Sequence, residues 1–349
     1  DRSSAASDVY KRQTKLKKSP QKDSTKSQSV GEDIVDRTAL EEQSILTGGE
    51  ILTGETQLKH ILPKFAGMAL LDNESRIEFI RQPRWIGYSK AKEINDLLMT
   101  LYSYPPQDRM PNLLIVGDPN NGKTSLLKRF HDQMGEAVII NDEVVKPVVY
   151  LQAPPSGSEK DLYLSLVRAY GGITSDTTTV ASARYQAMHH IRHFKTKLVI
   201  IDEIHSLLAG TSKQQRLIMN AIKFLCNDLN IPFVLAGTQS ALQVLHTDPQ
   251  HISRFDVAEL PLWKMDKEFA RLVRSFERTL PLKEPSELTA PDKLTAIFEM
   301  SKGCIGFTKR FIGECAIRAI ERGSESIELK DIKESRWSFG KNNGIVVYN

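Results

Sequence analysis

The sequence predicts an α/β fold in which a five-stranded parallel sheet is flanked by helices and followed by a small all-helical domain. Short apolar runs alternate with helical patterns between Pro111 and Pro261, and only helical patterns follow. This alternation indicates a parallel sheet, because parallel neighbours need a long crossover connection that usually contains a helix. A glycine-rich loop between the first apolar run and a helical run fits the same architecture.

The predicted strands are short apolar runs, as expected for strands that are buried on both faces of a sheet. They are Leu113–Val116, Pro147–Leu151, Leu198–Ile201, Pro232–Ala236 and Val257–Leu260. The predicted helices of the C-terminal part are Asp266–Arg278, Pro291–Met300, Phe307–Arg322 and Leu329–Ser335.

The loop after the first predicted strand has the pattern GxxxxGKT, running from Gly117 to Thr124 and including Asn120, Asn121 and Gly122. Glycines in such a loop turn backbone N–H groups towards an anion, and the following helix adds the positive end of its dipole. Lys123 is predicted to reach the β- and γ-phosphates, and Thr124 to place its hydroxyl on Mg²⁺. Ser125, the next residue in the helical run, is also a candidate nucleotide-binding residue. The loop therefore predicts binding of a nucleoside triphosphate.

Two acids end the third predicted strand, Leu198–Ile201. Asp202 is predicted to hold Mg²⁺, partly through water, and Glu203 to activate the attacking water as general base. An apolar run followed by two acids is weak evidence alone, but it gains weight about 75 residues after a complete phosphate-binding loop. His205 follows and is interpreted as a structural or positioning residue.

Three further positions carry candidate polar groups. Thr238 or Gln239, after the fourth strand, could sense the γ-phosphate or orient the water, or could belong to an ordinary glycine turn. Arg254, just before the fifth strand, is predicted to reach the nucleotide of a neighbouring subunit, as an arginine finger does. Lys309 and Arg310 begin a C-terminal helix and lie on different sides of it, so only one can fold over the phosphates.

Composition and charge exclude some classes of protein. No run of about 18 apolar residues occurs, so no membrane span is expected, and the polar N-terminus predicts no secretory signal. The three cysteines lack CxxC spacing and are expected to be reduced and buried. Between residues 11 and 26, seven Lys and Arg residues and one acid give a charge of +6, while the rest of the chain sums to −2. Any nucleic-acid surface on the folded part must therefore be local.

These observations divide the chain into five expected segments. A disordered basic tail covers 1–40, in which 1–13 resembles a translated sequencing adapter and receives no functional interpretation. A helical segment at 41–105 leads into an α/β nucleotide-binding domain at 106–262. A helical lid follows at 263–336, with a C-terminal tail at 337–349.

Taken together, the motifs resemble those of AAA+ ATPases of the initiator-like branch. The closest resemblance is to TniB, the ATPase of transposons that carry a TniA-type transposase, and then to the related TnsC regulators. The resemblance covers residues 70–335. The residues that carry it are Arg81–Tyr88, Arg109–Asp118, Asn120–Thr124, Val234–Thr238, Ser253–Phe255 and Gly303–Gly306.

The resemblance implies a regulator of DNA transposition that binds ATP and Mg²⁺ and assembles as rings or filaments on duplex DNA. Such proteins contact the DNA backbone with little sequence specificity, recruit a transposase of the TniA or TnsB type, in some systems through a TniQ-type adaptor, and disassemble on hydrolysis. It also implies a place in the bacterial cytoplasm, at the nucleoid.

The resemblance assigns further residues. Trp85, Ile86 and Tyr88 fall where the family closes over adenine, although the sequence also allows an ordinary aromatic packing cluster there. Lys160 and Thr174 fall on loops that touch the DNA backbone in TnsC relatives, although Lys160 could equally be a lysine at a helix start. Lys309 stands where arginine is usual.

Two other functions stay open at this point. A helicase loader of the same branch would share the nucleotide site but engage a replicative helicase and prefer single strands. A nucleotide-gated scaffold would bind ATP and hardly turn it over.

Overall fold

The computed structural model describes residues 58–246 and 254–334, and the backbone of 337–338 and 347–348. The predicted basic tail at 1–40 lies outside these residues, as do His251–Ser253 and most of the predicted C-terminal tail. The strands are β1 (Asn112–Gly117), β2 (Val138–Ile140), β3 (Glu143–Val145), β4 (Val148–Gln152), β5 (Leu198–Asp202), β6 (Phe233–Gly237), β7 (Phe255–Leu260), β8 (Trp337–Ser338) and β9 (Val347–Tyr348).

The helices before the last strand of the main sheet connect its strands or precede them. They are α1 (Pro63–Ala66), α2 (Asn73–Arg81), α3 (Ser89–Tyr102), α4 (Lys123–Met134), α5 (Glu159–Ala169), α6 (Val180–His193), α7 (Ile204–Leu207), α8 (Ser212–Leu229) and α9 (Gln239–His246). A group of helices that we call the lid follows β7. It consists of α10 (Lys267–Glu277), α11 (Pro291–Ser301), α12 (Ile305–Arg322) and α13 (Leu329–Lys333).

The main sheet has five strands in the order β4-β5-β6-β1-β7, and all its pairs are parallel. The predicted fold class is therefore confirmed. The three strands β1, β5 and β6 have neighbours on both sides and are buried throughout, which explains why their apolar runs are continuous. Because the strands are parallel, the loops after β1, β5 and β6 meet at one edge of the sheet.

Two hydrophobic clusters of the main sheet lie on its two sides. One contains Leu162 and Ile222 from α5 and α8, and the other contains Ile94 and Leu127 from α3 and α4. The lid has a cluster of its own around Phe269 and Phe311. Within residues 58–246 and 254–334, no helix combines the length and apolar character needed to cross a membrane.

The N-terminal helix α2 packs on the lid and not on the sheet. Ile80 belongs to the hydrophobic cluster of the lid. Arg76 is fully buried, donates hydrogen bonds to the Pro281 carbonyl oxygen at 3.0 and 2.8 Å, and pairs with Glu325. A buried cation is tolerated when it is paired and hydrogen-bonded in this way. Helix α2 therefore belongs with the lid, whereas α3 packs on the sheet.

Candidate nucleotide-binding site

The phosphate-binding loop (Gly117–Thr124) connects β1 to α4 at the carboxyl edge of the sheet. Gly122 has φ 90°, which an L side chain rarely adopts, so this position needs glycine. Lys123 is buried, and its Nζ donates hydrogen bonds to the carbonyl oxygens of Gly117 and Asp118, both at 2.9 Å. Burial lowers the pKa of Lys123, while the negative charges of Glu203 and Asp202 oppose this shift. The loop thus holds an ammonium group close to both acids.

Asp202 ends β5 and is almost completely buried. Its Oδ1 accepts a hydrogen bond from the Glu203 N–H at 2.8 Å, and its Oδ2 accepts one from the Tyr150 hydroxyl at 2.9 Å. Burial and the Asp202 charge raise the pKa of Tyr150, so this phenol stays a donor. The contacts fix the orientation of the Asp202 carboxylate.

Glu203 has φ 56°, a left-handed conformation that is strained for a residue with a side chain. Its Oε2 lies 3.2 Å from Nε2 of His205, while Nδ1 of His205 is buried without a hydrogen-bond partner. His205 therefore contacts the carboxylate directly, which agrees with a positioning role. Backbone strain of this kind concentrates at functional sites.

A cavity of about 640 Å³ opens beside the phosphate-binding loop, and Glu203 lines it. It is also bordered by the segment before α3, by α4 and by the start of α12. Of the predicted site residues it collects Trp85, Ile86, Tyr88, Asn120, Asn121, Gly122, Lys123, Thr124, Ser125, Glu203 and Lys309. Arg310, the alternative to Lys309, is not among the lining residues. The volume is within the range usual for ligand pockets.

One wall of the cavity is aromatic. The rings of Trp85 and Tyr88 stack at 6.4 Å between centroids, and Trp263 meets Tyr88 edge-on at 5.1 Å. Arg129 of α4 lies over the Trp85 ring, 5.3 Å from its centroid. Burial raises the pKa of Tyr88 to about 12. No sequence motif indicates Trp263 or Arg129, because both come from elements far from the Trp85–Tyr88 segment in the chain.

The phosphate-binding loop is tied directly to the lid. The Asn121 amide donates hydrogen bonds to the carbonyl oxygens of Leu260 and Pro261 at 2.8 and 2.9 Å, and its Oδ1 accepts one from the Ile305 N–H at 3.4 Å. The Gly306 N–H donates to the Asn120 carbonyl oxygen at 3.1 Å. A Cβ added at Gly306 would lie 2.5 Å from that same oxygen, so only glycine allows this approach. The Asn121 side chain thus braces the loop.

Thr238 and Gly117 lie at the same sheet edge but do not line the cavity. Thr238 follows β6, which lies between β5 and β1, and its hydroxyl is 2.8 Å from the Ser240 hydroxyl. Gly117 is the last residue of β1, and its carbonyl oxygen accepts from Lys123.

Arg254 lies at the opposite edge of the sheet. It precedes Phe255, which pairs with Asn112 at the start of β1, whereas the phosphate-binding loop follows Gly117 at the end of that strand. The two positions are about 16 Å apart along the strand direction. Nη1 of Arg254 donates a hydrogen bond to the Asn227 side chain at 2.6 Å. Arg254 therefore does not belong to the cavity of its own chain.

The two residues assigned to DNA contact lie near one loop, between α5 and α6. Nζ of Lys160 donates a hydrogen bond to the Asp176 carbonyl oxygen at 2.6 Å. The Thr174 hydroxyl accepts one at 3.0 Å from Arg168, an exposed cation that the sequence analysis did not identify. Ile173, the neighbour of Thr174 in this loop, is 97% exposed.

Comparison with known structures identifies the fold. ORC2 of Aeropyrum pernix, solved in ADPNP–ADP complexes, aligns with a TM-score of 0.53 and 18% identity over 74% of this chain and 70% of that chain. Cdc6p of Pyrobaculum aerophilum aligns with a TM-score of 0.55 and 15% identity over 76% and 70%. ORC1 of Aeropyrum pernix, solved in complex with DNA, gives 0.51 and 13% over 74% and 68%. At these identities the likeness shows an AAA+ initiator-type fold and no more.

The comparison with curated proteins gave no match. The family comparison did give one: the model for the bacterial TniB protein matches residues 76–265, which is more than half of the chain. This range includes the aromatic wall, the phosphate-binding loop, the acid pair and Arg254. The resemblance seen in the sequence is confirmed, and the chain belongs to the bacterial TniB protein family.

Proposed function

We propose that this protein is an ATPase that regulates DNA transposition by assembling on duplex target DNA in its ATP-bound state. The observation that carries the proposal is the cavity in which the phosphate-binding loop, Glu203 and the Trp85–Tyr88 wall face one another. A triphosphate fits the loop, a nucleobase fits the aromatic wall, and Glu203 lies where it can act on a water molecule. Family membership supplies the process in which this chemistry is used.

In the proposed reaction, Lys123 exchanges its two carbonyl partners for phosphate oxygens. Thr124 and Asp202 offer a hydroxyl and a carboxylate, which are the oxygen donors that Mg²⁺ prefers, and Mg²⁺ bound there neutralises phosphate charge. Glu203 accepts a proton from the attacking water as the γ-phosphoryl group passes to that water and ADP leaves. His205 holds the Glu203 carboxylate.

The position of Arg254 supports the proposed assembly. Because Arg254 lies far from the phosphate-binding loop of its own chain, it is free to contact the nucleotide of a neighbouring subunit. A guanidinium placed against the nucleotide of an adjacent subunit stabilises the charge that develops during phosphoryl transfer. Hydrolysis then depends on a formed interface, and loss of the γ-phosphate weakens that interface.

Contact with DNA is proposed for α5 and the loop that follows it, through Lys160 and Arg168 of the helix and Thr174 of the loop. The chain outside residues 11–26 has a net charge of only −2, so a single subunit offers few cations to the phosphate backbone. Repetition along the duplex multiplies these contacts, and ATP-driven assembly thereby sets the affinity for DNA. The proposed partners of the assembly are a TniA- or TnsB-type transposase and a TniQ-type adaptor.

The test measures binding to labelled duplex and single-stranded DNA by fluorescence anisotropy with ATP, a non-hydrolysable analogue or ADP. We expect cooperative binding to duplex with both triphosphates and weak binding with ADP. The double variant Lys160→Ala/Arg168→Ala should bind DNA more weakly but keep its affinity for ATP. Nucleotide-independent binding, or a preference for single strands, would contradict the proposal and favour a loader.

A further inference from the structure

Arg84 is a half-buried cation at the cavity to which the sequence motifs assign no role. Its guanidinium carbon lies 3.9 Å from the centroid of the Phe79 ring. Its two terminal nitrogens donate hydrogen bonds to carbonyl oxygens in the last turn of α2, those of Phe79 and, at 3.5 Å, Ile80. The side chain is therefore held in one place by stacking and by the end of a helix.

These contacts leave the charge of Arg84 unmatched. Carbonyl oxygens accept two of the five N–H donors of the guanidinium, and no carboxylate among the described residues pairs with it. Burial lowers the pKa of Arg84, as it does for a cation that lacks an anionic partner. Arg84 borders the cavity, and three of its N–H donors are not used by these carbonyl oxygens.

A second cation borders the cavity close to Arg84. Lys309 of α12 lines the same cavity, and the two side chains also border a smaller neighbouring pocket together with Phe276. Burial and the Arg84 charge lower the pKa of Lys309, and no acid among the described residues pairs with its ammonium group. Two cations that border the same cavity, neither paired with an acid among the described residues, offer a site where one anion can bind both.

Both cations belong to the same packed unit. Arg84 is anchored on α2, and α2 is fastened to the lid through Ile80 and the buried Arg76–Glu325 pair. Lys309 is part of the lid itself. The unit contacts the phosphate-binding loop through α12, so an anion bound to Lys123 can also be bound from the lid side.

We propose that Arg84 is a nucleotide-binding residue which, together with Lys309, binds the phosphate chain of the nucleoside triphosphate from the lid side of the cavity. A guanidinium binds two phosphate oxygens at once, which an ammonium group does not do in a fixed orientation. The inference rests on the proposed nucleotide site and adds the phosphate-binding group that the N-terminal segment contributes. Phosphate binding also removes the repulsion between the two cations, so it favours packing of the lid unit on the loop.

The experiment titrates purified full-length protein with adenosine, ADP and ATP and follows tryptophan fluorescence, for which Trp85 is a reporter inside the cavity. Arg84→Gln removes the charge and keeps much of the side-chain length. Arg84→Lys keeps the charge but cannot form bidentate hydrogen bonds to phosphate. Arg81→Gln is the matched control, because Arg81 is an exposed arginine in the last turn of α2. Thermal unfolding of each variant without nucleotide reports on the fold.

We expect Arg84→Gln to weaken ATP binding about 10- to 100-fold, the loss usual for a hydrogen-bonded charge, with adenosine binding changed less than about twofold. Arg84→Lys should recover part of the loss, and Arg81→Gln should match the wild type. Equal losses for adenosine and ATP would assign Arg84 to helix capping alone and overturn the inference, as would unchanged ATP binding. If Lys123→Ala keeps wild-type ATP affinity, the proposed nucleotide site itself fails, which is a separate outcome.

Discussion

The two sides of the cavity are built in different ways. On the sheet side, the phosphate-binding loop is made of backbone, and its one cation, Lys123, is hydrogen-bonded within the loop. On the lid side, the wall consists of side chains from distant segments, and its cations, Arg84 and Lys309, lack acidic partners among the described residues. The cation of the sheet side thus has hydrogen-bond partners without nucleotide, whereas the two cations of the lid side gain an anionic partner in the proposed complex with phosphate. If that proposal holds, the lid side is the part that responds to nucleotide.

The largest effect is expected at the sheet side, from Glu203→Gln. The amide cannot accept the proton of the attacking water, so hydrolysis should fall by about 10²- to 10⁴-fold. Nucleotide affinity should stay within about threefold of the wild type, because the side chain binds no phosphate. Phosphate release measures hydrolysis, and titration with ATP measures affinity. Sedimentation should show long-lived assemblies locked by ATP. Disassembly at the wild-type rate would show that Glu203 is not the base.

Arg254→Ala tests whether a group outside both sides of the cavity completes the site from a neighbouring chain. Hydrolysis by assemblies should fall by about 10³-fold, as for other arginine fingers. ATP binding by dilute monomers should be unchanged, since Arg254 lies at the other edge of the sheet. Mixing this variant with Glu203→Gln subunits should restore turnover at interfaces that pair an intact Arg254 with an intact Glu203. Loss of ATP binding by the monomer would contradict the assignment.

Lys123→Ala removes the only cation of the phosphate-binding loop, and ATP affinity should fall by about 100-fold or more. Isothermal titration calorimetry measures this change, with Lys213→Ala as control because Lys213 is an exposed lysine on α8. If the lid side alone held the phosphates, Lys123→Ala would bind ATP normally, and the comparison between the two sides would be wrong.

The smallest effect is expected where the two sides touch. Gly306→Ala places a methyl group 2.5 Å from the Asn120 carbonyl oxygen, so α12 must shift away from the loop. We expect a loss of about 1–3 kcal/mol in the free energy of unfolding and a modest loss of ATP affinity. Gly67→Ala, which has open space around the new atom, is the control in chemical and thermal unfolding. A stability equal to that of the control would mean that this contact is not formed.

Sequence reasoning predicted the sheet side of the site because its information is local. Five strands, the GxxxxGKT loop and Asp202–Glu203 each occupy a few consecutive residues, so spacing alone indicates their roles. The hairpin β2–β3 was not predicted, but it too has a local signal. Its two-residue turn consists of Asn141 and Asp142, residue types that tolerate positive φ, and their φ angles are 51° and 63°.

The lid side could not be predicted to the same depth. Its wall joins Arg84 and Lys309, and Trp263 packs on Tyr88 of that wall, although these residues lie far apart in the chain. The composition of the N-terminal segment does not show that α2 packs on the lid. Ile80 could pack against any apolar surface, and Arg76 could pair with any acid. The amide of Asn121 was expected near nucleotide, but its hydrogen bonds to Leu260 and Pro261 depend on the position of β7.

The most direct test of the central claim, that nucleotide bound between the two sides controls assembly on DNA, is electron microscopy of the protein with duplex DNA. Samples contain ATP, a non-hydrolysable analogue or ADP. The account predicts rings or filaments on duplex only with the triphosphates, with Arg254 of one subunit near the cavity of the next. Assemblies that form equally with ADP or without nucleotide, or monomers that ignore duplex in every state, would contradict it.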